Sequence, residues 1–244
     1  MPRFFVPTIN FTEDNVKITG DDARHIARSL RMAEGDTVTV CDMHGTEHEC
    51  RLVRIRDEEC LCEILSSHAG ENEPPVRITL FMSYPKADKL EYIVQKAVEL
   101  GAAEIIPFES ERCIKRPAPE KAEKNTARLQ RIASEAAKQC GRSILPTVGM
   151  PIGYAEALIR GAKADLSVFC YEGDGTRSLK AILESSTDVK TVSVVVGCEG
   201  GFSKKEAEDA KEAGFSMANL GSRILRCETA PSFALSSIIY HFEL

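Results

Sequence analysis

The chain has 244 residues, 43% of them apolar, which suffices for one large core or two modest ones. Its formal charge of −6 argues against indiscriminate coating of nucleic acid, although a local basic patch would still bind phosphate. No stretch approaches the length of a membrane span and residues 1–7 lack the long apolar region of a secretory signal, so a cytoplasmic protein with no membrane partner is expected.

Residues 1–70 read as a small β-rich domain. Segments 36–41 and 47–56 alternate apolar with polar in the manner of strands, joined by the turn Asp42-Met43-His44-Gly45, and 59–65 alternates again. A barrel-like module is the expected product. Before it, Gly20-Asp21-Asp22 leads into a predicted helix over 23–32, on which Arg24, Arg28 and Arg31 share one face at three- and four-residue steps. Such a face either contacts phosphate or is simply solvated. Cys41, His44, His48 and Cys50 invite a zinc reading, but a strand-turn-strand setting throws alternate side chains to opposite faces, so no metal is expected. The nine cysteines, without paired C-x-x-C spacing, fit reduced thiols.

Residues 66–75, Ser-Ser-His-Ala-Gly-Glu-Asn-Glu-Pro-Pro, are polar and aperiodic and read as a linker. From 71 onward the pattern becomes strand, helix, strand, helix, which predicts an α/β domain with a parallel sheet. Segment 77–82 is a strand. Leu90, Ile93, Val94, Ala97 and Val98 form an apolar helical stripe that Gly101 ends, 103–108 is the next strand, and 127–140 a helix. Lys86, Arg112, Lys115, Arg116 and Arg142 fall in or beside loops, where binding groups and mere solubility charges both occur. Segment 166–171 is a buried strand ending at Tyr171-Glu172-Gly173.

The run Val-Ser-Val-Val-Val at 192–196 has no polar alternation and reads as a parallel strand covered on both faces. It ends in a glycine loop, Gly197, Gly200 and Gly201, with Ser203 placed to cap the next helix. Segment 216–220 repeats the logic: a strand, Gly221, then a helix start with Pro231 in its first turn. Two glycine loops at strand carboxyl ends predict one ligand pocket. Neither G-x-G-x-x-G nor G-x-x-x-x-G-K-[ST] is present, so NAD and ATP readings lose their main support. A further helix over 231–242, with Phe233, Ala234, Ile238, Ile239 and Tyr240, is apolar enough to need cover.

Gly197-Cys198-Glu199-Gly200-Gly201-Phe202-Ser203 and Leu220-Gly221-Ser222-Arg223-Ile224-Leu225-Arg226-Cys227-Glu228-Thr229-Ala230 together resemble the signature of the RsmE family. These are bacterial methyltransferases of uridine N3 in small-subunit (16S) ribosomal RNA, within the trefoil-knotted SPOUT superfamily. The resemblance covers nearly the whole chain, since Lys96, Glu99-Leu100-Gly101, Arg112, Glu135, Gln139, Arg142, His25 and Leu30-Arg31 also stand at matching places. Two positions depart: the family usually carries proline at Cys198, and alanine or leucine is commoner than Pro231.

The resemblance implies a PUA-like RNA-binding β-barrel domain over 1–70 and a knotted methyltransferase domain over 71–244. It implies S-adenosyl-L-methionine as cofactor, held by Tyr171 and Glu172, by Val196, Gly197, Cys198, Glu199, Gly200 and Gly201, and by Leu220, Gly221, Ile224, Leu225, Arg226, Thr229 and Ala230. Ribosomal RNA would meet Arg3, Arg24, His25, Arg28, Arg31, Lys86, Arg112 and Arg142, and the chain would form a homodimer. Arg226 would stabilise a uridine anion, and Glu199 or Glu228 would take its proton. Either carboxylate would equally well accept backbone N–H bonds at a helix start. An RNA-binding module without catalysis is the rival reading; it would keep the arginines but have no use for the glycine loops.

Overall fold

Alternation in the first segment produces a curled five-stranded sheet. The computed structural model describes residues 1–86, 88–114 and 119–244; Lys115 and Arg116 lie outside them. Strands β1 (Arg3–Phe5), β2 (Asn15–Thr19), β3 (Thr37–Cys41), β4 (Thr46–Ile55) and β5 (Glu59–Ala69) are ordered β1-β3-β4-β5-β2, with a short helix α1 (Asp21–Arg24) after β2. All pairs are antiparallel except β1 with β3. The result is a half-barrel with β1 and β2 as its edges. Inward residues at a period of two, among them Val16, Ile18, Val38, Val40 and Leu52, fill its core together with Phe4 and Ile26.

Expectations for two segments need correction. Segment 66–69 is no linker: it continues β5, pairing Ser66 to Ala69 with Glu49 to Thr46. Its exposed polar residues hid a strand that has water on both faces. The helix predicted over 23–32 turns into a wide π-type turn at His25–Ser29, closed by Leu30 N–H on the His25 carbonyl. Arg31 then takes a left-handed backbone (φ 52°), so it leaves the face that Arg24 and Arg28 occupy. Cys41, His44, His48 and Cys50 are dispersed. Cys50 lies in the core, whereas His48 packs on Phe11 (4.9 Å) and bonds Ser67 (2.7 Å). Among the described residues no cluster of such side chains is arranged to hold a metal ion.

The second compact unit comprises Pro74–Ala136 and Pro146–Leu244, while Ala137–Leu145 belong with the first. Its elements are β6 (Arg77–Ser83), α2 (Lys89–Glu99), β7 (Ala102–Glu109), α3 (Pro119–Cys140, which runs on into the first unit), β8 (Thr147–Val148), β9 (Ile152–Gly153), α4 (Tyr154–Gly161) and β10 (Leu166–Cys170). Then follow β11 (Arg177–Ser178), α5 (Leu179–Glu184), β12 (Thr191–Val196), α6 (Lys204–Glu212), β13 (Ser216–Asn219) and α7 (Thr229–Phe242). Every strand pair is parallel, in the order β11-β13-β10-β12-β6-β7-β8, with β9 also on β7.

β10 is buried throughout and β12 nearly so, as strands sandwiched between helices must be. Their two buried serines are satisfied: Ser167 and Ser193 both donate to the Gly161 carbonyl at 2.9 and 2.8 Å. α2 buries the predicted stripe, and α3 begins eight residues before the expected 127. α7 turns Pro231, Ala234, Leu235 and Ile238 inward at helical spacing, packing on α2, α5 and β12. Among the described residues no helix is long and apolar enough to cross a membrane.

Candidate active site

The carboxyl ends of β13, β10 and β12, neighbours in the sheet, each release a loop, and the three loops surround a cavity of about 520 Å³. Such a crevice beyond the strand ends is where open parallel sheets bind ligands. The first loop contributes Tyr171, whose N–H donates to the Ala218 carbonyl (2.9 Å), and Glu172. The second contributes Val196 to Glu199, Gly201 and Phe202. Phe202 is buried against Phe169 (ring centroids 4.3 Å apart), which pins the loop to the core. Ser203 caps α6 as expected, reciprocated by Glu206. The third loop contributes Leu220 to Cys227, and Ala230 closes it from α7.

Two glycines explain how backbone forms these walls. Gly201 has φ +61° and an ideal Cβ there would sit 2.5 Å from Glu172 Oε1; Gly221 has φ +104° with open space around it. Gly200 plays another part. It does not line the cavity but backs onto Arg112, whose Nη1 donates to its carbonyl (2.9 Å) and whose Cβ is 2.9 Å from where a Gly200 Cβ would be. Thr229 also stays out of the lining, its N–H spent on the Arg226 carbonyl (2.8 Å).

Sequence reasoning missed Lys89. It opens α2 at the carboxyl end of β6, the strand beside β12, and its ammonium reaches Glu199 Oε1 (3.1 Å) and Glu228 Oε2 (3.0 Å). The available signal was its position at a helix start directly after a buried strand. Glu199 also accepts the Lys86 N–H on both oxygens (3.1 and 3.2 Å). Burial pushes the Glu199 carboxyl up, but its own N–H, Lys89 and Lys86 outweigh that and hold it below the usual range. Glu228 behaves alike: burial raises it, and Lys89, its own N–H and Cys227 bring it lower. The Lys89 ammonium is correspondingly raised, first by Glu228 and then by Glu199. Glu199 and Lys89 line the cavity, whereas Glu228 stands behind Lys89.

Cys198, also in the lining, is buried beside the Ser110 hydroxyl (3.9 Å), which contacts Cys113 at 3.3 Å. Hydrogen bonds from Cys198, Ser110 and Ser83 pull the Cys113 thiol below the ordinary thiol range, against the upward push of burial. Cys198 is pushed up in turn, chiefly by Cys113.

Residues 72–239 match the model of an RNA methyltransferase domain, and residues 18–65 that of an RNA methyltransferase PUA domain. The chain belongs to this RNA methyltransferase family. It is 34% identical to ribosomal RNA small subunit methyltransferase E of Bacillus subtilis, over 100% of this chain and 98% of that protein. The crystal structure of ribosomal RNA small subunit methyltransferase E from Neisseria gonorrhoeae bound to S-adenosyl methionine superposes with a TM-score of 0.88 at 36% identity, covering 98% and 96% of the two chains. A Legionella pneumophila protein in complex with the same cofactor gives 0.86 at 27% identity, covering 97% and 96%.

For an RNA methyltransferase, the basic residues singled out in the sequence divide into two groups. Arg24, His25, Arg28, Arg31, Lys86, Arg112 and Arg226 are exposed or partly so. Arg24 is paired with Asp21 and Glu58, and Arg28 with Asp57, exposed contacts that a phosphate readily replaces. Arg3 and Arg142 do not fit nucleic-acid contact. Arg142 is only 4% exposed, with Nη2 2.6 Å from Glu73 Oε2, and Arg3 holds Glu47 at 2.7 Å from a largely buried position. A guanidinium enclosed around its own carboxylate has no face left for a phosphate.

Proposed function

We propose that this chain transfers a methyl group from S-adenosyl-L-methionine to ring nitrogen 3 of a uridine in small-subunit (16S) ribosomal RNA. The observation that carries the reading is the cavity framed by three strand-end loops, in a chain matched along its length by cofactor-bound relatives. The residues present fit the cofactor. The walls offer backbone N–H and carbonyl groups, apolar Leu220, Ile224 and Leu225, and the Glu172 carboxylate, which suits a positively charged amino group. When bound, the cofactor supplies the methyl group on a sulfonium sulfur.

Every other contribution falls to the protein. The loops fix the donor, and alignment of acceptor nitrogen with methyl group supplies much of the rate. The imide proton must leave N3, and Glu199, ionised and facing the cavity, is assigned to accept it; Glu228, behind Lys89, is not. Arg226, exposed on the cavity wall, stabilises the uridine anion as charge develops. Residues 1–70 capture RNA in a PUA-like manner, with Arg24, His25, Arg28 and Arg31 as contacts, while 71–244 carry out transfer with Lys86 and Arg112 near the mouth. The third loop and α7 complete a trefoil knot. Phe233 (44% exposed) and Tyr240 (74%) on α7, with Tyr92 (50%) on the adjoining α2, form the face of a homodimer. The protein acts in the cytoplasm.

Mass spectrometry of ribosomal RNA from a strain lacking the gene, with and without its restoration, tests the reading. N3-methyluridine should vanish from small-subunit RNA and return with the gene. Unchanged modification would overturn the assignment.

A further inference from the structure

The cavity-facing carboxylate does not stand alone, and the geometry around it assigns a task to a residue outside both glycine loops. Glu199 comes from the loop after β12 and Glu228 from the turn that opens α7, so one ammonium from α2 joins two motif loops to a third element. The Lys89 Nζ also lies 3.7 Å from Cys227 Sγ, so its near neighbours are two carboxylates and a thiol. Without that ammonium, two like charges would face each other across the space it fills, and one carboxyl would take up a proton more readily. Lys89 is itself kept protonated by the same pair, so it is no candidate for accepting a proton from substrate.

We propose that Lys89 is a positioning residue for methyl transfer: held from behind by Glu228, its ammonium keeps the Glu199 carboxylate charged and aimed into the cavity, ready to take the uridine N3 proton. The proposal rests on the methyltransferase reading above. The step balances. The N3–H bond breaks with its proton going to a Glu199 oxygen, the nitrogen electron pair forms the N–CH3 bond, and the C–S bond breaks with its pair remaining on sulfur. A cationic donor, an anionic carboxylate and neutral uridine thus become three neutral groups, with Lys89 and Glu228 unchanged as an internal ion pair. The charged or titratable groups around Glu199 are Lys89 from α2 and Cys227 and Glu228 from the start of α7, with Arg226 elsewhere in the cavity lining; Lys86 faces it through its backbone N–H.

The decisive measurement needs neither RNA nor cofactor. Carboxyl-carbon NMR of the ligand-free protein, with Glu199 assigned through Glu199→Gln, gives its titration in wild type, Lys89→Gln and Lys89→Arg. In wild type the midpoint should fall below the ordinary 4.5. Removing a cation at this distance should raise it by about 1–3 pH units in Lys89→Gln, and the charge-preserving Lys89→Arg should keep it low. The single-turnover rate of Lys89→Gln should then acquire an acid limb whose midpoint follows the raised Glu199 titration, displaced upward from any limb in wild type. A midpoint that stays put in Lys89→Gln, or a rate reduced equally at every pH, overturns the proposal, since a merely structural lysine would do just that. So does a wild-type Glu199 titrating at or above 4.5, which settles the matter even if Lys89→Gln does not fold. Failure of wild-type enzyme to methylate small-subunit RNA would instead refute the function, and the carboxyl titration would remain a test of Lys89.

Discussion

Gly201→Ala isolates the demand that the cavity makes on backbone. At φ +61° a residue with a Cβ is strained by about 1–2 kcal/mol relative to glycine. The new methyl would also stand 2.5 Å from Glu172 Oε1, so that side chain must swing away at a further ~0.5–1 kcal/mol. If the loop relaxes in the free protein and must be restored around the cofactor, the total of about 1.5–3 kcal/mol appears as a ~10- to 150-fold weaker Kd for S-adenosylmethionine. Gly221→Ala, at φ +104° with nothing within 4 Å of its Cβ, carries the backbone cost alone and should weaken binding ~5- to 30-fold. Gly200→Ala meets Arg112 outside the lining and should change affinity less than either. Calorimetric titration of the three variants, with thermal melts to confirm folding, reads these differences directly. Binding within twofold of wild type in Gly201→Ala, or a greater weakening in Gly200→Ala than in Gly201→Ala, would refute the account of the cavity.

Arg226→Ala should leave cofactor affinity within a few-fold and slow single-turnover methylation; an unchanged rate removes Arg226 from the chemistry. Reversing Arg24, Arg28 and Arg31 to Glu should weaken RNA binding and flatten its dependence on salt, by roughly 0.7–0.9 in the log–log slope for each phosphate no longer neutralised. An equal weakening of S-adenosylmethionine binding would show those arginines to be structural. Phe233→Asp with Tyr240→Asp should convert a dimeric mass by light scattering into a monomeric one, and a monomeric wild type at micromolar concentration would count against the dimer. Because Glu199 and Glu228 are held below their unfolded value of about 4.5, the unfolded chain binds more protons as pH falls through that region. The stability they confer is therefore present above that value and lost below it, so the Tm difference between wild type and Lys89→Gln should shrink as pH drops from 6 to 4. Thiolate absorbance should appear below the ordinary thiol range in wild type, and the Cys113→Ser variant should lose that low-pH thiolate.

Much of the fold was legible because burial writes itself into sequence as period. The unbroken Val192 to Val196 run became β12 at the middle of a parallel sheet, and the Leu90 to Val98 stripe became the buried face of α2. Ser203 as a cap and Gly201 and Gly221 as left-handed residues were readable for the same reason: local geometry restricts which residue types are tolerated. What stayed hidden lacked such a local mark. Segment 66–69 joined β5 through its partner strand, with nothing in its own polar composition to show it. The turn at His25–Ser29 changed its hydrogen-bond period from four to five residues, and that displaced Arg31 from a face drawn at 3.6 residues per turn.

Charged side chains were the least legible part of the site, and the reason is electrostatic. A sequence shows that Arg142 and Lys89 are cations but not what each is paired with, and pairing decides their role. Arg142 is 69 residues from Glu73, and the pair closes around itself and is buried. Lys89 is more than a hundred residues from Glu199 and Glu228, and there the pair faces a cavity. The two glutamates were visible as alternative proton acceptors, one in each motif, yet their roles diverge only once the lysine is placed between them. One carboxylate then faces the ligand, and the other fixes the cation that keeps it charged. A carboxylate that must accept a proton from a weakly acidic imide does so only in its ionised form, which burial and a second carboxylate both oppose, and in this chain the cation that offsets them comes from an element the motifs do not contain.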